Sequence, residues 1–277
     1  MYGNGDYIGP LVEGISYKTI KPKNPARRRY KRRFRLRKHE FRLYLRSLFR
    51  DKHETTKRFA VLSHVRSGSF LLRDLLNCHP DVICDREVFQ ANRVLSPRRF
   101  LEQSAGRKLQ TAHGFLVKPG HPVVAQGFST QEWIDFLRSM EFSIIHIERR
   151  DFWAQALSMA LARARLVWHT SKQSDVKKGP VTIDPAQVRM WFDYIHSWDP
   201  ALKAWLEALP HISLSYDDDL KNADRHQQAL DRVFEFLDLP GAEVKARLIR
   251  TSGSNPSDYI SNWDEVAAFR DEMMAAS

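Results

Sequence analysis

With 277 residues, 43% of them hydrophobic, the chain can form one large domain with a substantial core and is too apolar for a disordered segment. No apolar run reaches the length of a membrane-spanning helix, Met1 to Ile20 lack the basic start and apolar core of a secretory signal, and Cys78 and Cys84 match no metal-ligand spacing. The net charge of +11 is uneven: residues 1–58 hold 18 Lys and Arg against 5 Asp and Glu, and the remainder holds 26 against 28.

The excess sits on an N-terminal arm, residues 1–57, ahead of a nearly neutral domain, residues 58–277. Residues 1–25 contain Gly and Pro and read as an extended leader. From Arg27 the arm turns strongly basic, and Tyr30, Phe34, Phe41, Tyr44, Leu45 and Leu48 recur at helical steps. A basic amphipathic helix over 27–52 is expected, and such helices lie on anionic membrane surfaces. A solvated helix packed on the domain by its aromatic side is an equal reading, and a nucleic-acid patch is a third.

Phe59 to Leu62 is an apolar run suited to a buried strand. Ser63 to Gly68 is a small, polar loop. Leu71, Leu72, Leu75 and Leu76 then fall at helical spacing, and Asn77 and Pro80 end that helix. A strand, tight loop and helix make an anion site from the backbone alone, because the first helical N–H groups lack internal partners and the dipole is positive there. Ser67 and Ser69 add hydroxyls and Arg66 a forked cation. The Gly-Lys pair of the Walker loop is missing, which weakens a kinase or ATPase reading. A generic turn with a surface Arg is the plain alternative.

Further along, Ser96-Pro97 opens a helix, Gly114 to Val117 is a strand, and Thr130 caps a helix through Arg138. Phe142 to Ile147 is a central strand, and Asp151 caps the helix carrying Gln155 and Ser158. Residues 171–180 read as a polar loop. Asp184-Pro185 starts a long helix to about Ala208, His211 to Tyr216 is the last strand, Ala223 to Leu237 a helix, and Asn262 starts the final one. Alternating strands and helices imply an α/β fold with parallel strands and right-handed crossovers, and ligands at the carboxyl ends of the strands.

Four blocks, in order over roughly residues 58–270, carry a family resemblance. Arg66-Ser67-Gly68-Ser69 before Leu71 and Leu72, then Asn77-x-His79-Pro80 and Glu87-x-Phe89, resembles the 5′-phosphosulfate loop of sulfotransferases that use 3′-phosphoadenosine-5′-phosphosulfate (PAPS). Ile144 to Asp151, Gln155-Ala156-x-Ser158 and Trp168 resemble the family's 3′-phosphate motif. Gly114-Phe115 with His121, and Ile260 to Val266, resemble segments of the bacterial branch. The chain looks most like the bacterial trehalose and nodulation-factor type and the Golgi carbohydrate sulfotransferases. The departures are Arg66 where the cytosolic branch has Lys, Arg86 where Gly is usual, and Leu116 where the bacterial branch has Lys. Lys118 lies on the same strand face as 116 and can take that Lys's place.

The resemblance implies a P-loop-like three-layer sandwich, with a central, mainly parallel sheet flanked by helices and the basic helical arm in front. It implies PAPS as sulfate donor, the bisphosphate PAP as product, and no metal. Arg66, Ser67, Gly68, Ser69 and Phe70 would hold the 5′-phosphosulfate, with Arg66 also stabilising the leaving phosphate. Arg150 and Ser158 would hold the 3′-phosphate, unless Arg150 forms a salt bridge to Asp151 or Glu148. Glu87 would be the general base for an acceptor hydroxyl of a carbohydrate, glycolipid or hydroxylated lipid. His121 is the second candidate, more an acceptor contact than the base, while His64 and His79 read as structural. Asp217-Asp218-Asp219 reads as a solvated turn or cap. The expected location is cytoplasmic and peripheral at the inner membrane face, with an anionic surface met through residues 27–50 and nucleic acid not expected. The competing class is a non-catalytic basic protein that binds membrane or nucleic acid through its arm.

Overall fold

In the computed structural model the described residues are 40, 41, 45, 57–90, 93–105, 110–165, 179–248 and 255–275. The expected leader, most of the basic arm, Trp168 and most of the 171–180 loop lie outside them.

Five strands form one sheet in the order β2-β3-β1-β4-β5, all parallel. They are β1 (Lys57–Ser63), β2 (Val82–Asp85), β3 (Ala112–Val117), β4 (Phe142–Glu148) and β5 (His211–Ser215). β1 is central, paired with β3 on one side and β4 on the other. Successive strand side chains point to opposite faces, so β1 feeds two cores. Phe59 and Val61 pack with α1 (Ser69–Leu76) and a later helix, His226–Phe236, on one face. Ala60 and Leu62 pack on the other with α2 (Pro97–Ala105), α3 (Thr130–Ser139) and the helix Asp199–Ala208. The result is the expected three-layer α/β arrangement. A third cluster joins α4 (Phe152–Arg165), α5 (Pro185–His196) and the last helix, Trp263–Ala275. In chain order Asp199–Ala208 is α6, His226–Phe236 is α7 and Trp263–Ala275 is α8.

Three local expectations change. Ser129, not Thr130, caps α3. Its hydroxyl accepts from the Glu132 N–H at 3.2 Å, and the Glu132 carboxylate accepts from the Ser129 N–H, a full capping box. The long helix from Asp184-Pro185 is two helices, because Pro200 has no N–H to continue the ladder and α6 restarts at Asp199. β2 is a strand with no sequence expectation behind it. It is four residues long at the sheet edge, too short for its alternation to register. Asp151 does cap α4 as expected, accepting from the Ala154 N–H at 2.8 Å.

The chain runs from β1 to β2 and β3 on one side, then to β4 and β5 on the other. The order of strand addition therefore reverses at β1, and the carboxyl ends of β1 and β4 are where such a sheet is expected to hold a ligand. The Ser63 to Gly68 loop follows the carboxyl end of β1.

Candidate anion and acceptor site

The loop is built to hold an unusual backbone. Arg66 has φ of 58° and Gly68 of 92°, both left-handed. At Gly68 a Cβ would come within 2.6 Å of the Tyr216 ring, so only glycine fits beneath that roof. Gly68 is also the N-cap of α1; no side chain caps the helix and no acidic residue occupies its first turn. Its leading N–H groups and positive dipole end are thus available to an anion.

Three successive carbonyls of the loop are each bound by a side chain. The His64 carbonyl accepts from the Ser67 hydroxyl at 2.9 Å, the Val65 carbonyl from the Gln155 amide, and the Arg66 carbonyl from the Arg149 guanidinium at 3.1 Å. Carbonyl oxygens repel an anion; these are occupied. Gln155 and Arg149 come from the second sequence block, on α4 and just past β4. That block therefore supports the loop of the first.

Arg66 donates from Nε to the Ser158 hydroxyl at 3.1 Å. Arg149 lies over the Tyr216 ring, 4.9 Å from its centre. Burial first, and then the charge of Arg149, lower the Arg66 pKa to about 10. Two guanidiniums held this close give the loop a strong positive field.

The sequence expectation brings Arg150 to Ser158, and in the structure they do not meet. Arg150 is exposed and its guanidinium pairs with Asp218, while its N–H donates to Asp217 at 3.2 Å. The cause is register: Glu148 at the end of β4 pairs with Ser215 at the end of β5, so the acidic run after β5 lies directly beside Arg150. Asp219 pairs with Arg232 and accepts from the Ser215 N–H at 2.7 Å. The acidic run is therefore ion-paired and turn-forming, as expected of a solvated cap.

On the β3 side stands Lys118, buried just beyond the strand end. Its ammonium donates to the Ser63 hydroxyl at 2.7 Å and the Ser69 hydroxyl at 2.8 Å, and lies 3.7 Å from the Glu87 carboxylate. One cation thus joins the end of β1, the start of α1 and the segment after β2. Leu116 is in the core, so it cannot serve where Lys118 does. Burial lowers the Lys118 pKa to about 8, with the Glu87 charge opposing. Burial also raises the Glu87 pKa, against the pull of Lys118.

Of the histidines, His121 is buried and its Nδ1 accepts from the Lys118 N–H at 3.3 Å. Burial, then the Lys118 charge, lower its pKa to about 3, so it is neutral and a poor proton reservoir near pH 7. His79 is structural: its Nε2 meets the Pro240 carbonyl and its Nδ1 accepts from the Asp81 N–H. His64 pairs with Asp199 at 2.8 Å, and His196 pairs with the same carboxylate at 3.1 Å, tying the loop to the α5–α6 corner. Sequence reasoning missed Asp199, since nothing links it to His64 along the chain. Among the described residues, no cluster of His, Cys, Asp and Glu is arranged to hold a metal ion, and no helix is long and apolar enough to cross a membrane.

No protein-family model matches the chain, and no curated protein matches it. Among solved structures, it is similar to a sulfotransferase from Alicyclobacillus acidocaldarius, with 13% identity, TM-score 0.49, and coverage of 79% of this chain and 95% of that one. It is also similar to mouse sulfotransferase SULT7A1 complexed with PAP, with 14% identity, TM-score 0.41, and coverage of 69% of this chain and 61% of that one. Likeness at this level carries no functional argument.

Proposed function

We propose that the chain is a sulfotransferase that moves a sulfuryl group from PAPS to a hydroxyl of a carbohydrate or glycolipid. The observation that carries the reading is the buried Lys118 ammonium. It sits between the two serines of an anion loop and the Glu87 carboxylate, the proposed proton acceptor.

In this reading the acceptor oxygen bonds to sulfur as the bond from sulfur to the bridging phosphate oxygen breaks. Glu87 takes the hydroxyl proton. The leaving phosphate of PAP keeps the bond's electron pair, and that charge is met by Arg66, Lys118 and the leading N–H groups of α1. Ser67, Gly68, Ser69 and Phe70 supply the walls and backbone of that cradle. The 3′-phosphate would sit at Ser158, within reach of Arg66 and Arg149. Arg150 would join it only by leaving Asp218. His121 would hold the Lys118 turn beside the acceptor, and the donor site needs no metal.

Titration calorimetry with PAP, followed by sulfate transfer from labelled PAPS to a panel of saccharides and glycolipids, tests this. Parent protein should bind PAP and gain thermal stability from it. Ser158→Ala and Arg149→Ala should weaken binding at least tenfold, and Arg150→Ala should leave it unchanged. Loss in Arg150→Ala alone would return the 3′-phosphate to that residue. No PAP binding by the parent would sink the proposal in favour of the basic-arm binding protein.

A further inference from the structure

Leu95 is 70% exposed, Phe41 61% and Leu45 42%. Their placement is fixed rather than incidental. The Glu40 carboxylate is buried and accepts from the Leu95 N–H at 2.7 Å, so the helical residues 40 and 41 lie against the tip of the segment that follows β2. Phe41 and Leu45 are both helical and four residues apart, which places them on one face. The tip is held from below as well. Gln126 accepts from the Val94 N–H at 2.8 Å and donates to the Phe89 carbonyl at 3.0 Å. The segment with Glu87 at one end thus carries Leu95 at the other.

The surroundings of this apolar cluster are basic. Arg93, Arg98 and Arg99 are exposed around Leu95, with Glu102 one turn further along α2. The Glu40 carboxylate is turned inward to Leu95. Large exposed apolar side chains beside exposed arginines match a bilayer with anionic headgroups, where the side chains enter the acyl boundary and the arginines meet phosphate and carboxylate.

We infer that Phe41, Leu45 and Leu95, with Arg93, Arg98 and Arg99, form a docking face for an anionic lipid bilayer. The face would set the segment bearing Glu87 against the membrane surface, so that the acceptor hydroxyl belongs to a lipid-borne headgroup. The docking part stands on exposure and charge alone; the acceptor part rests on the function proposed above.

The test is flotation of the full chain with vesicles of phosphatidylcholine, with and without about one-third phosphatidylserine. Parent protein should float with the anionic vesicles only, and float less at high salt as screening grows. Replacing Phe41, Leu45 and Leu95 together by Ser should weaken partition by about tenfold or more for each side chain that enters the acyl boundary. Leu95→Phe should keep it. Replacing Arg93, Arg98 and Arg99 by Gln should lower binding to anionic vesicles and flatten its salt dependence. PAP affinity is measured alongside as the check on folding and on the donor site, and none of these variants should change it. Flotation of the triple Ser variant equal to the parent's overturns the inference. So does a parent dimer that the triple variant dissolves, which would make a second copy the occupant. Retention on nucleic acid without any flotation overturns it as well. Vesicle binding without PAP binding keeps the docking face and removes the sulfotransferase reading.

Discussion

Lys118 and Glu87 face each other in a poorly hydrated pocket, and each is pushed towards its neutral form. Burial lowers the ammonium to about pH 8 and raises the carboxyl, and each group's charge resists the change in the other. The proposed transfer would need Glu87 ionised and Lys118 charged. Activity should therefore decline as pH rises through about 8, where Lys118 loses its proton, and its acid limb should lie above the ordinary carboxylate range. Lys118→Arg should move the alkaline limb upward, since a guanidinium keeps its proton. An unmoved limb would assign that titration to another group. Glu87→Gln should cut transfer by roughly 10²- to 10⁴-fold at unchanged PAP affinity. Much of this residue set is legible in the sequence: Arg66 and Glu87 stand in recognisable motifs, and strand alternation points to Lys118. The roles of Arg149 and Arg150 are not, because a run of two arginines past a strand end does not say which one turns inward. That depends on what the neighbouring strand brings alongside, here Asp217 and Asp218 after β5.

At the scale of elements, α1 carries both the start of the anion site and an anchor for the distant chain. Its Asp74 is buried and accepts from the N–H groups of Arg247 and Leu248 at 2.6 and 3.2 Å, and from the Arg247 guanidinium at 3.0 and 2.8 Å. This pins the extended stretch after α7 along α1. Asp74→Ala should cost about 2 kcal/mol, the scale of hydrogen bonds to a buried charged group, although the Arg247 side chain itself is largely exposed. A lower urea midpoint at constant slope would show it. A midpoint within error of the parent would mean the stretch is held by its apolar contacts alone. Helices and strands with strong periodicity, such as β4 and α1, were readable in advance. The break between α5 and α6 is marked by Asp199-Pro200 but hidden by Trp191, Ile195, Trp198 and Trp205, which keep helical spacing across it.

Across the molecule, buried neutral histidines should set the response to acid. Burial lowers His121 to about 3, and burial with the charges of His64 and His211 lowers His146 to about 4. Both lie below the unfolded value of about 6.5. Above that pH neither state is protonated and the fold keeps its full stability. As pH falls, the unfolded chain takes up protons that the folded one refuses, so stability drops from about 6.5 towards the folded values. Thermal melts between about pH 7.5 and 5 should show a falling midpoint, and His121→Gln should flatten the slope. A flat parent profile would mean these rings are hydrated in solution. The layered architecture behind that burial was legible from the alternation of apolar runs. The contact between the arm and the segment after β2 was not, since Glu40 and Leu95 are 55 positions apart and nothing along the chain links them.

The three loop carbonyls held by Ser67, Gln155 and Arg149 fix when the ordering of the site takes place. The left-handed turns at Arg66 and Gly68 are set as the protein folds, by contacts that exist before any donor arrives. An incoming anion meets a surface already in its bound shape, so encounter and capture can be one event with no slow rearrangement between them. In the proposed reaction, turnover would then be governed by how quickly the spent nucleotide leaves.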